Sequence, residues 1–165
     1  MTEPRPRSTM RYPGYDYRLA GGYFITLALV SRVPRFGDVH SGQVIPNDAG
    51  HMLYETWFAI PGRYPTIVLD EMIVMPDHLH GILFLAASVP EDSPSLSEVV
   101  RVFKSVSTTR YIRGVHTRGW PHFDRHLWQP NFYDHIIRND NDLETRRQYI
   151  KANPARWEAK RRGHE

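Results

Sequence analysis

The sequence contains no cysteine. No disulfide can staple the chain and no thiolate can bind a metal, which favours a reducing compartment. It also lacks any apolar run near the ~20 residues needed to cross a bilayer. The best run, Tyr23 to Val30, is short, is interrupted by Thr26 and stands behind Asp16 and Arg18, so it does not read as a signal peptide. A soluble cytoplasmic protein without a membrane partner is expected. Internal repeats are absent, and no compositional break marks a second domain. The 165 residues suit one domain that buries its own core.

Acidic residues are scarce in two stretches. Residues 101–118 carry Arg101, Lys104, Arg110, Arg113 and Arg118 with no acid. Residues 146–162 carry Arg146, Arg147, Lys151, Arg156, Lys160, Arg161 and Arg162 against Glu158 alone. The net charge is only +3, so placement matters more than the sum. Such runs are either solvated helix faces or a surface for phosphates, and charge does not decide between them.

Hydrophobic periodicity outlines the elements. Residues 1–10, rich in Pro, Arg and Ser, read as a flexible arm. Tyr23 to Val30 is β-branched and aromatic, hence a strand. Residues 31–47 look like a loop or small hairpin. Asn47 or Asp48 caps a helix with Leu53, Trp57 and Ile60 on one face, stopped by Pro61-Gly62. Thr66 to Met75 and His78 to Ala86 form a hairpin about Pro76-Asp77, apolar on both arms and thus covered on both faces. Ser95 and Glu98 make a capping box. It opens a helix with the stripe Leu96, Val99, Val100, Phe103 and Val106, which Gly114 ends. Leu127 to Arg138 reads as the last strand. Asn141 and Glu144 make a second capping box for a helix predicted to stop at Asn153, before Pro154. The order β-α-β-β-α-β is the ferredoxin-like antiparallel arrangement of an α+β protein, with one additional C-terminal helix.

Two segments carry candidate chemistry. In a strand, residues i and i+2 share a face. His78 and His80 therefore project side by side and can hold a divalent metal with positions left open. On the final helix Tyr149 and Asn153 lie four apart and share a face. The phenol can attack a phosphodiester, and the amide oxygen can complete a hard-metal site. Arg146 lies on the same side. Taken alone, each pattern is as readily a packed histidine pair or a core tyrosine.

The chain resembles the REP-associated tyrosine transposases, of the HUH single-tyrosine superfamily related to insertion-sequence transposases. The motifs are Gly22-Tyr23-Phe24-Ile25-Thr26, Met75-Pro76-Asp77-His78-Leu79-His80-Gly81, Phe103-Lys104-Ser105, the segment Leu127 to Asn139 and Tyr149-Ile150-Lys151-Ala152-Asn153-Pro154. They span roughly residues 11–157, leaving 158–165 as a basic tail. The resemblance implies that His78 and His80 are the HUH pair binding Mg²⁺ or Mn²⁺, with Asn153 as third ligand and Tyr149 as nucleophile. It implies cleavage and rejoining of single-stranded, hairpin or repeat DNA through a 5′-phosphotyrosine, by a monomer or a homodimer. Arg11, Tyr12, Tyr15 and Arg18 in the N-terminal segment would help bind DNA, as would Lys104, Arg110, Arg146, Arg147, Lys151 and Arg156 in the basic runs. Residues 31–47 are longer than the family's minimal connection.

Other readings compete. Tyr133, with His135 two residues on, is a rival nucleophile lacking a metal-completing partner one turn away. His122 and His126 read as loop residues, not a metal pair. Trp120, Trp128 and Trp157 could stack bases, although core packing is the commoner fate. A nucleic-acid-binding module of the same fold without catalysis, and a phosphodiesterase using water, are the alternative functions.

Overall fold

The computed structural model describes residues 19–86 and 94–163. Four strands form an antiparallel sheet in the order β4–β5–β1–β6: β1 (Leu19–Ala28), β4 (Ile67–Met75), β5 (His78–Ala86) and β6 (Tyr133–Ile137). Helix α1 (Asp48–Phe58), the short α2 (Ile60–Arg63) and α3 (Leu96–Arg118) fall in the first and second crossovers. Helix α4 (Asp140–Arg162) follows the last sheet strand, and a two-stranded ribbon of β2 (Gly37–His40) and β3 (Gln43–Pro46) precedes α1. This is the expected ferredoxin-like sheet with an added C-terminal helix.

The pleat sorts side chains onto two faces. From β1, Tyr23, Ile25 and Leu27 enter the main core with Leu79 and Leu83 of β5, Leu53 and Trp57 of α1, and Val99, Val100 and Phe103 of α3. Phe24 of β1, with Ile82 and Phe84 of β5, faces the other way. There they form a smaller cluster with Ile137 and with Ile150 of α4. Both faces of the central strands are therefore covered, as their unbroken apolar character requires.

Side-chain caps fix helix starts. Asn47 accepts from the Gly50 amide at 2.9 Å and Ser95 from the Glu98 amide at 3.2 Å. The Asn141–Glu144 box is corrected: Asn139 is the cap and accepts from the Asp142 amide at 2.8 Å. Gly114 does not end α3. The helix runs to Arg118, and Gly119 at φ +72 caps it, in the left-handed conformation that glycine adopts at no steric cost. Gly114 instead receives the indole of Trp120, which would lie 2.1 Å from a Cβ there. The buried side of α3 likewise drifts from Val106, 40% exposed, to Ser107 and Tyr111. The strand expected over Leu127 to Arg138 is confined to Tyr133–Ile137. Pro130 lacks an amide for a ladder. Lys104 Nζ instead donates to the carbonyls of Gln129 and Asn131 at 2.8 and 3.2 Å.

The largest correction concerns α4, which continues through Pro154 to Arg162. Pro154 removes one backbone hydrogen bond, but tertiary anchors outweigh that loss. Ile150, Asn153 and Pro154 are buried. Beyond the proline, the Glu158 carboxylate accepts from the amides of Ser41 and Gly42 at 3.0 and 2.9 Å, at the tip of the β2–β3 ribbon. Arg161 pairs with Asp38 at 3.0 Å. The basic tail expected from residue 158 is thus a docked helical turn as far as Arg162.

Candidate active site

Strand β5 aims both imidazoles at the α4 face, and the neighbouring residues decide how they are held. The His80 ring stacks on Phe24, centroids 5.3 Å apart, and its Nδ1 lies 2.8 Å from Thr26 Oγ1, across the β1–β5 pairing. The His78 Nδ1 lies 2.6 Å from Asp77 Oδ1. An Nδ1–H donated to an oxygen leaves Nε2 with its lone pair. The two Nε2 atoms face each other at 3.2 Å. Two imidazole nitrogens each ~2.1 Å from one cation, at an angle between octahedral and tetrahedral, stand roughly 3.0–3.4 Å apart. The pair therefore fits a divalent metal.

The electrostatics agree. Burial, with His78, Arg156 and Arg32 nearby, pushes His80 down to about 3, so it is an unprotonated donor near neutral pH. Burial raises the Asp77 carboxyl. Hydrogen bonds from His78 and Arg32 outweigh that and hold it below the usual carboxylate range. Among the described residues no group of three His, Cys, Asp or Glu could hold a metal. The amide of Asn153, 8% exposed, lines the same cavity and offers an oxygen of another type.

That cavity, about 520 Å³, lies between β5 and α4. From α4 come Arg146, Tyr149, Asn153, Arg156, Trp157 and Lys160, all on one helical face. The Tyr149 ring meets His80 edge-on with centroids 5.4 Å apart and meets Phe24 at 5.7 Å. It stays 37% exposed, so its hydroxyl can be approached. The Arg156 guanidinium lies 4.0 Å from the Tyr149 ring centroid, and that of Arg146 lies 5.3 Å from Phe24. The structure thus brings together His78, His80, Tyr149, Asn153, Arg146 and Arg156.

Other expected residues lie elsewhere. Lys104 is half-buried, which lowers its pKa, and ties down the 129–131 segment. Arg110 pairs with Glu55 at 2.6 Å and donates to Thr56, on the helical face of the sheet. Arg147 grips Asp70 of β4 with two bonds of 2.8 and 2.6 Å, and Lys151 lines a separate hollow beside it. All four were expected to bind DNA, and none lines the cavity. Arg11, Tyr12, Tyr15 and Arg18 lie outside the described residues.

Tyr133 lines the cavity and reaches Phe24 at 6.4 Å. Trp128 is buried and donates to Ser107 at 3.0 Å, and Trp120 packs on Tyr111. Only Trp157 of the three stands at the site, 6.0 Å from His78. Sequence reasoning missed Thr26, Arg32 and Asp77 as site residues, and weighed Trp157 for base stacking and Lys160 for the basic surface without placing either at this site. The last two needed only the helical period carried beyond Pro154.

Similarity to known proteins bears on this arrangement. Residues 46–153 match the family model described as transposase IS200 like. An uncharacterized protein of Haemophilus influenzae is 32% identical over 169 residues, 92% of this chain and 90% of the relative. A REP-associated tyrosine transposase of Escherichia coli is 31% identical over 88 residues, 53% of this chain and 44% of that protein. The solved structure of a REP-associated tyrosine transposase bound to a REP hairpin superposes with a TM-score of 0.58 at 24% identity. That match covers 90% of this chain and 74% of the other.

Proposed function

Since the chain belongs to the IS200-like transposase family, we propose that it cleaves and rejoins single-stranded or hairpin DNA through a 5′-phosphotyrosine on Tyr149. His78, His80 and Asn153 would hold Mg²⁺ or Mn²⁺. The observation that carries this reading is the pair of Nε2 atoms 3.2 Å apart with the Tyr149 ring against one of them. A divalent cation there supplies Lewis-acid polarisation of a phosphoryl oxygen.

The chain's own residues do the rest. Tyr149 Oη attacks phosphorus: its bond to phosphorus forms, the bond from phosphorus to the 3′ oxygen breaks, and the phenolic proton is lost. The departing oxygen takes up a proton as a free 3′-hydroxyl. A second 3′-hydroxyl reverses the attack and joins strands. The covalent step conserves the bond energy. Arg156 over the Tyr149 ring and Arg146 over the neighbouring Phe24 ring put two cations in the cavity, where a phosphodiester's charge can be matched. The rest of the basic surface serves the backbone, and binding weakens with salt. Hairpin DNA as substrate is supported by the relative solved with a REP hairpin. Tyr149 shares a cavity with the histidines of its own chain, which supports a monomer acting in cis.

The test is incubation of labelled hairpin DNA, carrying single-stranded flanks, with Mn²⁺. Wild-type protein should give a covalent adduct that survives denaturing electrophoresis. Tyr149→Phe should bind DNA without the adduct, and His78→Ala should do neither cleavage nor transfer. Cleavage by Tyr149→Phe would point to water as nucleophile. Tight binding with no adduct from wild type would point to a binding module.

A further inference from the structure

We propose that Arg32, acting through Asp77 and by its own contact with the imidazole, is the positioning residue that fixes the tautomer and orientation of His78. This rests on the metal site proposed above. Arg32 lies in none of the resemblance motifs and is 45 positions before Asp77. Its Nε donates to Asp77 Oδ2 at 3.0 Å and its Nη2 to Oδ1 at 3.2 Å. Oδ1 also lies 2.6 Å from His78 Nδ1, and Arg32 Nη2 lies 3.1 Å from that same nitrogen, so carboxylate, guanidinium and imidazole meet at one point. A guanidinium fork fixes both the position and the plane of a carboxylate. The plane of the carboxylate then sets which imidazole nitrogen carries the proton, and where the other nitrogen points.

The backbone around Arg32 is built for this contact. Ser31 and Arg32 adopt φ of 59 and 52, left-handed values that non-glycine residues adopt at a cost. Such a cost persists only where the surroundings over-determine it, and here they do. The Leu29 amide donates to Asp77 O at 3.0 Å, and the amides of Arg35 and Phe36 donate to Pro76 O at 2.8 and 3.1 Å. The segment after β1 is thereby latched across the β4–β5 turn that presents His78. The strained turn swings the guanidinium onto the buried Asp77 while its other edge lines the cavity.

The experiment reads Mn²⁺ affinity and imidazole ¹⁵N signals without DNA. Wild-type apo protein should show His78 protonated at Nδ1. Asp77→Asn should weaken Mn²⁺ binding about 10–100-fold, the usual effect of losing an outer partner, and mix the His78 tautomers. Arg32→Gly removes the guanidinium while relieving the positive φ, which offsets part of the cost of leaving Asp77 buried without that partner. It should still weaken Mn²⁺ and broaden the His78 tautomer distribution, with a smaller loss than Asp77→Asn. Arg32→Lys should recover part of the affinity, because a point charge replaces a fork. Arg32→Gly and Asp77→Asn that bind Mn²⁺ as wild type does, with His78 unchanged, would overturn the proposal and leave the metal site standing. A wild-type protein that binds no Mn²⁺ would overturn both.

Discussion

Leu79 and His78 are neighbours in β5, yet they belong to different chemistry. Leu79 is fully buried in the main core, beneath α1 and α3. His78 looks the other way, into a cavity bordered by arginines, a lysine and two tyrosines. One side of the sheet is closed by two helices with broad apolar faces. The opposite side is covered by one helix whose described buried residues are only Ile150, Asn153 and Pro154. A helix that contributes so little apolar surface is held by ion pairs and end contacts, such as Arg147 on Asp70 and Glu158 on the ribbon. The difference teaches that stability and chemistry can be separated by a single register step along one strand.

That separation can be broken experimentally. The largest effect belongs to the site face. His80→Ala should reduce adduct formation on hairpin DNA below detection while changing urea unfolding less than any core truncation. On the other face, Leu79→Ala should destabilise by about 2–5 kcal/mol in urea unfolding, the range for an emptied leucine position. At temperatures where it stays folded, it should keep its adduct yield. Gly81→Ala would put a Cβ 2.5 Å from the Trp57 ring, and overpacking of that kind costs about 1–3 kcal/mol. Equal loss of activity from Leu79→Ala and His80→Ala, at full folding, would mean that the faces are not separate.

The smallest effect is a pH signature at the edge of the α4 face. The hydrogen bond from Arg147 holds the Asp70 carboxyl below its ordinary value of 3.8, against the opposing effect of burial. A depressed folded-state pKa stabilises the protein above the unfolded-state value. That contribution is lost as pH falls through the lower, folded-state one. The stability advantage of wild type over Asp70→Asn should be constant above about pH 5 and shrink below pH 4. An advantage that persists unchanged to pH 2 would remove Asp70–Arg147 as a clamp on α4.

The sequence made the centre of the sheet legible because β1 and β5 are apolar on both faces, whereas the edge strand β6, Tyr133–Ile137, carries Asp134 and His135 and is shorter than the sequence suggests. The alternation His78-Leu79-His80 named the two faces outright. Less legible was anything decided by distant partners. Pro154 is a local helix breaker, and the burial of Asn153 and Pro154 together with the ribbon contacts of Glu158 and Arg161 explains why α4 survives it. Gly114 reads as a stop until Trp120 is seen to fill the space beside it. Lys104 reads as a DNA contact, and in the fold its ammonium donates to carbonyls 25 and 27 positions away. Asp77, Arg32 and Thr26 escaped for the same reason. A second partner of a candidate metal-ligating histidine is defined by where its oxygen lands, and no spacing in the chain encodes that.

The central claim is that Tyr149, and not its cavity neighbour Tyr133, becomes linked to DNA. The direct measurement is digestion of the DNA-linked protein after reaction with Mn²⁺, followed by mass spectrometry of the nucleotide-bearing peptide. The account predicts the modification on Tyr149 in wild type and its disappearance in Tyr149→Phe. A nucleotide on Tyr133, or an adduct of unchanged yield in Tyr149→Phe, would contradict it.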